Sequence, residues 1–282
     1  MAIDLHSHSR ASDGSSSPEE LAGLFAASGV RIAALTDHDT AGGGAEFLAA
    51  CGKLGNKGIV GIEFSTVLAD KSEVHVLCYG FPRDDQRWTE FLSKHWEYLR
   101  GRNEETLSRL TQLGYKVDVE DVYRISRGNP AMPVHILYVL SEQGVIRNLK
   151  EAVNFFLEYL ATGAKAWVPH ETRAEPVIRT INEVGGIPII AHPNRYPGIE
   201  HLEELLDTGA RGFELYYPEQ NGQVFERLTG IAKQKRCLVT GGCDFHGAFS
   251  ERRIREVEVP FQAAARLFEA MGEKLEGEGE SE

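Results

Sequence analysis

The chain of 282 residues has no apolar run approaching the roughly 18 to 20 residues that cross a bilayer. Its start also lacks the basic and apolar regions of a secretion signal. A membrane role is thereby excluded, and a cytoplasmic location is expected. Basic residues are in deficit, with 30 Lys and Arg against 42 Asp and Glu and a formal net charge of −12. The cationic footprint that captures long nucleic acid is therefore missing. With 3 Trp and 9 Tyr and no basic stripe, there is no stacking platform for long single strands. Cysteine is scarce as well. Cys51, Cys78, Cys237 and Cys243 form no C-x-x-C pair, and their apolar settings read as reduced thiols, neither disulfides nor metal ligands.

Histidine and carboxylate at the ends of apolar segments are what the chain does have. In Asp4-Leu5-His6-Ser7-His8, strand alternation points both imidazoles to one face and makes half a metal site. Ile32-Ala33-Ala34-Leu35 runs into Thr36-Asp37-His38-Asp39, Ile187-Pro188-Ile189-Ile190 into Ala191-His192-Pro193, and Cys237-Leu238-Val239 into Asp244-Phe245-His246. Gly58-Ile59-Val60-Gly61-Ile62 delivers Glu63. Short aliphatic runs alternating with helical stretches read as buried strands of an α/β protein, where strand C-termini carry the active site.

Helix signals fill the gaps. Ser17-Pro18-Glu19-Glu20 offers an N-cap, a proline at the first helical position and a capping-box glutamate, and the helix stops at Gly29. Thr172-Arg173-Ala174-Glu175 repeats that pattern before Val177, Ile178 and Ile181. Leu202, Leu205 and Leu206 precede the short strand Gly212-Phe213-Glu214-Leu215. The alternation predicts a mostly parallel, helix-wrapped, barrel-like sheet. From Pro82 to about Ala164 strand signals vanish and a helical period takes over at Phe91, Trp96, Leu99, Leu107, Leu110 and Leu113. This predicts a helical insertion at residues 82–164, a cap or substrate subdomain on a barrel formed by residues 1–81 and 165–270. Residues 271–282 form an acidic, glycine-rich tail.

Taken together, Asp4-Leu5-His6-Ser7-His8, Thr36-Asp37-His38-Asp39, Gly61-Ile62-Glu63, His75, Ala191-His192-Pro193 and Gly242-Cys243-Asp244-Phe245-His246-Gly247 resemble the motif series of the PHP family, the polymerase and histidinol phosphatase domain. The match covers residues 1–80 and 186–250 and is most similar to stand-alone PHP phosphoesterases acting on nucleoside 3′,5′-bisphosphates and short RNA 5′ ends. The resemblance implies an α/β fold, a distorted (β/α) barrel of the PHP type with a helical insertion subdomain. It also implies nine metal ligands, His6, His8, Asp13, His38, Glu63, His75, His192, Asp244 and His246. Nine exceeds the about four to six ligands of a single ion. The family pattern places His6, His8, Glu63 and Asp244 on one ion, Asp13, His38 and His246 on a second, and Glu63, His75 and His192 on a third. Such a donor set without thiolate suits two or three divalent ions of manganese, zinc or iron. The implied chemistry is hydrolysis of a phosphate ester by a metal-activated hydroxide, with no phosphoenzyme. Histidinol phosphate or another small phosphomonoester is the alternative substrate, and a non-catalytic metal-bound module is a third reading.

Substrate recognition is implied for Arg195, a phosphate grip, and for His135, a phosphate contact or proton donor; Asp37 is the better catalytic candidate of the pair flanking His38. Pro133 stands where those relatives carry arginine, which leaves Arg127 or Arg102 to compensate. Ser7 and Ser65 read as packing or support for the ligands. His95 and His201 read as surface residues, His170 is given no role, and Tyr196, Tyr216 or Tyr217 is available to stack one base. The expected partner is a small phosphorylated substrate, a nucleotide or short RNA. Nothing in the sequence sets the oligomeric state.

Overall fold

In a computed structural model of the chain, residues 1–195, 199–218 and 221–275 are described. Parallel βα steps open the fold: β1 (Ala2–Asp4), α1 (Pro18–Ala27), β2 (Val30–Leu35), α2 (Gly44–Leu54) and β3 (Lys57–Val60). The start of α1 follows its sequence. Ser17 and Glu20 close a reciprocal capping box with Pro18 at the first helical position. After β4 (Ile62–Val67) and β5 (Glu73–Tyr79), strand gives way to α3 (Gln86–Gln112), α4 (Val119–Ile125), α5 (Pro133–Glu142), α6 (Leu149–Phe155) and a π turn over Phe156–Leu160. The βα alternation then resumes with α7 (Ala174–Glu183), β6 (Ile187–Ile190), α8 (Glu200–Thr208), β7 (Gly212–Tyr216), α9 (Gly222–Lys235), β8 (Leu238–Gly241) and α10 (Phe261–Ala270).

Two sheets result, β1-β2-β3 and β4-β5-β6-β7-β8, and backbone hydrogen bonds across both seams close them into a distorted barrel. On one side Leu5 N–H donates to Gly241 O at 3.0 Å and His8 N–H to Phe245 O at 2.9 Å. On the other, Gly61 N–H donates to Leu35 O at 2.8 Å and Asp39 N–H to Glu63 O at 2.9 Å. The seams require close backbone approach: a Cβ on Gly242 would lie 2.4 Å from His6 N. β5 runs antiparallel to both neighbours, a departure from the expected parallel order. A short turn joins β4 to β5, and only a crossover connection could have made that pair parallel.

The barrel interior is apolar at the end opposite the ligands. Ile3, Leu5, Ile32, Leu77, Ile187 and Ile189 pack there against Ala264, Leu267 and Phe268 of α10, which plugs the opening. Tyr79 is buried among them, its hydroxyl donating to Leu5 O at 2.6 Å. The helices of residues 86–160 bury a separate cluster including Leu107, Leu110, Val139 and Phe155. One expected cap is absent. Thr172 gives its carbonyl to Val67 N–H at 2.8 Å, while Arg173 occupies the N-cap of α7 without a side-chain bond and pairs with Glu175 at 2.7 Å. The extended backbone before α7 is drawn toward β4 instead.

Candidate metal centre

Each βα step deposits a polar side chain at the same mouth of the barrel. His6 and His8 follow β1, His38 follows β2, Glu63 and His75 sit on β4 and β5, His192 follows β6, and Asp244 and His246 follow β8. The chain bends sharply at several of these points. Asp39, His192 and Asp244 take left-handed φ values of 57°, 27° and 53°, backbone strain of the kind that concentrates at functional sites.

Glu63 is the hub, and its two oxygens face different imidazoles. Oε2 lies 3.0 Å from His6 Nε2, 3.0 Å from His8 Nε2 and 3.4 Å from His38 Nε2. Oε1 lies 3.1 Å from His75 Nδ1 and 3.0 Å from His192 Nε2. Asp244 Oδ1 approaches His6 Nε2 at 3.4 Å and His8 Nε2 at 3.2 Å. Asp13 lies 3.5 Å from His8, 3.8 Å from His38 and 3.4 Å from His246. The donor atoms form three overlapping groups: His6, His8, Glu63 and Asp244; His8, Asp13, His38 and His246; and His38, Glu63 and His75. The first group has the membership the resemblance implies. His8 is added to the second, and His38 stands in the third, with His192 on the Glu63 oxygen that His75 also reaches.

These residues fit divalent cations. His6 Nε2 and His8 Nε2 approach to 3.1 Å, close for two lone-pair atoms unless a positive charge lies between or beside them. Among the described residues, Asp244 Oδ1 and His8 Nδ1 are buried without a hydrogen-bond partner, which is costly unless a cation uses them. Burial opposes ionisation of Glu63 and Asp244, but the surrounding imidazoles hold both carboxyls well below the usual range. Burial keeps His38 and His192 low; at His8 the Asp244 and Glu63 carboxylates overcome burial and push it up to about 10. An incoming cation must displace such protons.

A second layer orients the ligands. His6 Nδ1 lies 3.0 and 3.1 Å from the two oxygens of Glu214, which places the proton on Nδ1 and turns the Nε2 lone pair toward Glu63. Glu214 also accepts His192 N–H at 2.8 Å. Sequence reasoning saw Glu214 only as part of a strand, although a carboxylate between Phe213 and Leu215 was a legible signal. Asp4 accepts from the backbone N–H groups of Cys243 at 3.1 Å and His6 at 3.3 Å. Ser65 Oγ lies 3.3 Å from His38 Nδ1, and Ser7 Oγ donates to Ala34 O at 2.6 Å.

A cavity of about 890 Å³ opens over the cluster, lined by Asp13, His38, His75 and His246 on the barrel side and by Val134, Leu137, Leu149, Val153, Phe156 and Trp167 on the helical side. Arg195 sits beside the cluster, its Nη2 2.8 Å from Asp244 Oδ2. His135 is fully buried, and its Nδ1 accepts Met132 N–H at 2.8 Å. Burial holds His135 down at about 4, and Pro133 and Val134 line the wall instead. The Asp37 oxygens accept from Ser9 N–H, Ser9 Oγ and Ser12 Oγ, each at 2.7 Å. Arg127 is exposed.

Three sequence expectations are corrected. His95 is buried, donating from Nε2 to Asp39 Oδ1 at 2.8 Å; its helix packs on the barrel mouth, so the face that looked exposed in sequence is internal. Tyr217 is buried with its hydroxyl accepting Asn194 N–H at 2.9 Å, and Tyr216 packs on Phe225, so neither lines the cavity. Tyr196 and most of the acidic tail lie outside the described residues. His201 sits between Asp70 at 3.6 Å and Glu204 at 3.8 Å.

An α/β barrel that gathers imidazoles and carboxylates around one buried glutamate defines a metal-dependent enzyme site. The chain belongs to the PHP domain family, whose pattern matches residues 4–166. It is 28% identical over 255 residues to a phosphoribosyl 1,2-cyclic phosphate 1,2-diphosphodiesterase of Eggerthella lenta, covering 88% of this chain and 95% of that protein. It is 34% identical over 249 residues to a 5′-3′ exoribonuclease of Haemophilus influenzae, covering 86% and 89%. It is 29% identical over 258 residues to a 3′,5′-nucleoside bisphosphate phosphatase of Chromobacterium violaceum, covering 86% and 87%. A solved structure from Bifidobacterium adolescentis shares the fold with a TM-score of 0.84 at 23% identity, covering 98% of each chain. No helix among the described residues is long and apolar enough to cross a membrane.

Proposed function

We infer that this chain is a metal-dependent phosphoesterase whose substrates are phosphomonoesters of nucleotides, such as nucleoside 3′,5′-bisphosphates, or the 5′ ends of short RNA. The observation that carries the reading is Glu63, whose two oxygens reach five imidazoles at 3.0 to 3.4 Å beneath a cavity of about 890 Å³. Relatives named for bisphosphates and for RNA ends support the substrate class.

His6, His8, Glu63 and Asp244 would hold one divalent ion, Asp13, His38 and His246 a second, and Glu63, His75 and His192 a third, with the Glu63 carboxylate shared because each imidazole nitrogen has only one lone pair to give. Bound there, manganese, zinc or iron supplies positive charge for the phosphoryl oxygens and lowers the pKa of water toward about 7. The protein contributes position. Glu63 ties the groups together, and Glu214 fixes the His6 ring. Arg195 braces Asp244 beside the cluster and would grip a phosphate oxygen. Asp37, with three donors on its oxygens, holds the loop that carries Asp13, and burial raises its carboxyl, which keeps it the better proton-donor candidate of the pair flanking His38. His135, neutral and buried, fixes the start of α5. Helices α3 to α6, the cap, shield the reacting phosphate from bulk water.

The test is phosphate or nucleotide release by manganese-loaded protein from adenosine 3′,5′-bisphosphate, 5′-phosphorylated short RNA, mononucleotides and histidinol phosphate, with Glu63→Ala as control. Preferred turnover of the bisphosphate or RNA, lost in the control, is expected. Turnover of histidinol phosphate alone, or of none, overturns the reading.

A further inference from the structure

His38 stands between two aspartates that are anchored in different directions. Asp37 is held by the barrel, where Ser9 and Ser12 donate to its oxygens. Asp39 is held by α3. Its Oδ1 accepts from His95 Nε2 at 2.8 Å and its carbonyl from the Trp96 indole N–H at 2.6 Å, so two consecutive residues of one helix grip one residue of the barrel. The turn continues along the same contact: the Thr40 hydroxyl donates to Asn129 Oδ1 at 2.8 Å, and a Cβ on Gly42 would lie 2.0 Å from that oxygen. Asp39 has a left-handed φ of 57°, a backbone state that persists where the surrounding bonds over-determine it.

From Asp39 the bonds lead to a candidate metal ligand. The Oδ1 that His95 holds also accepts Ser65 N–H at 3.1 Å, and Ser65 Oγ lies 3.3 Å from His38 Nδ1. That hydroxyl places the ring proton on Nδ1 and leaves His38 Nε2 to face Glu63 Oε2 at 3.4 Å and Asp13 Oδ2 at 3.8 Å. His95 also packs edge-on against Phe64, the residue between Glu63 and Ser65 on β4, with ring centroids 5.6 Å apart. Phe91 stacks on the His95 ring at 6.2 Å, and the residue is 5% exposed. One imidazole outside the ligand cluster therefore touches the chain neighbours of two ligands, His38 and Glu63.

We propose that His95, assisted by Trp96, is a positioning residue for the metal centre: its N–H to Asp39 sets the His38 ring for the ion that Asp13, His38 and His246 would hold. This rests on the metal-dependent reading of the site and adds to it a determinant on α3, outside the barrel. Without the His95 donor, Asp39 Oδ1 is free to leave Ser65 N–H, and the His38 ring loses its fixed hydroxyl partner. The effect falls on one ion. His6 is oriented by Glu214 of β7, and the backbone before Asp244 by Asp4, so the ion of His6, His8 and Asp244 does not depend on α3.

The experiment titrates metal-free protein with manganese, reading the free ion by its electron paramagnetic resonance, for wild type, His95→Leu, His95→Gln, Trp96→Phe and Trp88→Phe. His95→Leu fills the space without a donor, and His95→Gln returns an N–H close to the position of Nε2. Trp88→Phe disturbs the packing of α3 on Phe64 and Phe81 and leaves both bonds to Asp39. His95→Leu weakens one manganese site by about 10- to 100-fold and leaves the others as in wild type. Its phosphate release falls at limiting manganese, with kcat recovered in excess metal and KM for substrate unchanged. His95→Gln recovers most of the affinity, and Trp96→Phe weakens the same site to a smaller degree. Unchanged affinity in His95→Leu, an equal loss in His95→Gln, or an equal loss in Trp88→Phe overturns the proposal, because His95 would then serve packing alone. If His95→Leu does not fold, Trp96→Phe against Trp88→Phe decides: a weaker site in the first alone supports the proposal, and no difference overturns it. A wild type that binds no manganese overturns the metal-dependent reading and this inference with it, whereas normal binding in wild type and His95→Leu alike removes this inference alone.

Discussion

Glu214 grips His6 from behind: both carboxylate oxygens lie within 3.0 to 3.1 Å of Nδ1, on the far side of the ring from Glu63. The same carboxylate accepts His192 N–H at 2.8 Å, so one residue of β7 aligns ligands delivered by β1 and β6. Support of this kind sets the tautomer and basicity of a ligating imidazole. Glu214→Ala is expected to reduce metal affinity or kcat/KM by about 10- to 100-fold. Metal content after dialysis, read together with phosphate release, checks it.

Glu63→Ala removes the one carboxylate shared by five imidazoles. Activity is expected to fall by about 10³-fold or more, with fewer bound ions per chain. Glu63→Gln, nearly the same size, should fail in the same way, because a neutral amide neither balances cations nor draws the imidazoles together. Normal turnover by Glu63→Gln would contradict the role given to the hub.

Much of this was legible because the chemistry is ordered along the chain. His38 and His192 each follow an aliphatic run closely enough that strand geometry alone sends them to one mouth of the barrel. Legibility failed where a contact depends on a distant element. His95 looks like a surface residue on an amphipathic helix, and only the docking of α3 on the barrel makes its partner Asp39. Glu214 lay within a recognised strand, but its value depends on which ring stands across the barrel. The antiparallel β5 was hidden for a related reason, since apolar strands carry no mark of direction. Thr172 misled as a cap because its carbonyl was claimed by β4.

Removing the metal should destabilise the fold as well as silence it. A ligand that binds only the folded state contributes about 2.7 kcal/mol at 100 times its dissociation constant, and a chain of this size shifts by about 2–4 °C per kcal/mol. Chelation is therefore expected to lower the melting temperature by about 5–10 °C, reversibly on adding manganese. Thermal unfolding with and without chelator reads the shift. No shift would mean that the buried cluster is stable without cations.

The plug at the other end of the barrel should be separable from the metal centre. Phe268 is fully buried against the strands, with Lys57 Nζ 5.4 Å from its ring centroid, and it belongs to a different apolar cluster from that of helices α3 to α6. Phe268→Ala is expected to cost about 3–5 kcal/mol, because the rigid strands around it cannot collapse into the space. That loss should appear in denaturant midpoint with little change in the metal content of the folded protein. The ligands are fixed by the seam bonds to Gly241, Phe245 and Leu35, at the end remote from α10. If Phe268→Ala instead released metal at temperatures where the protein stays folded, the seams would not be what holds the ligands, and the barrel would be transmitting strain from one mouth to the other.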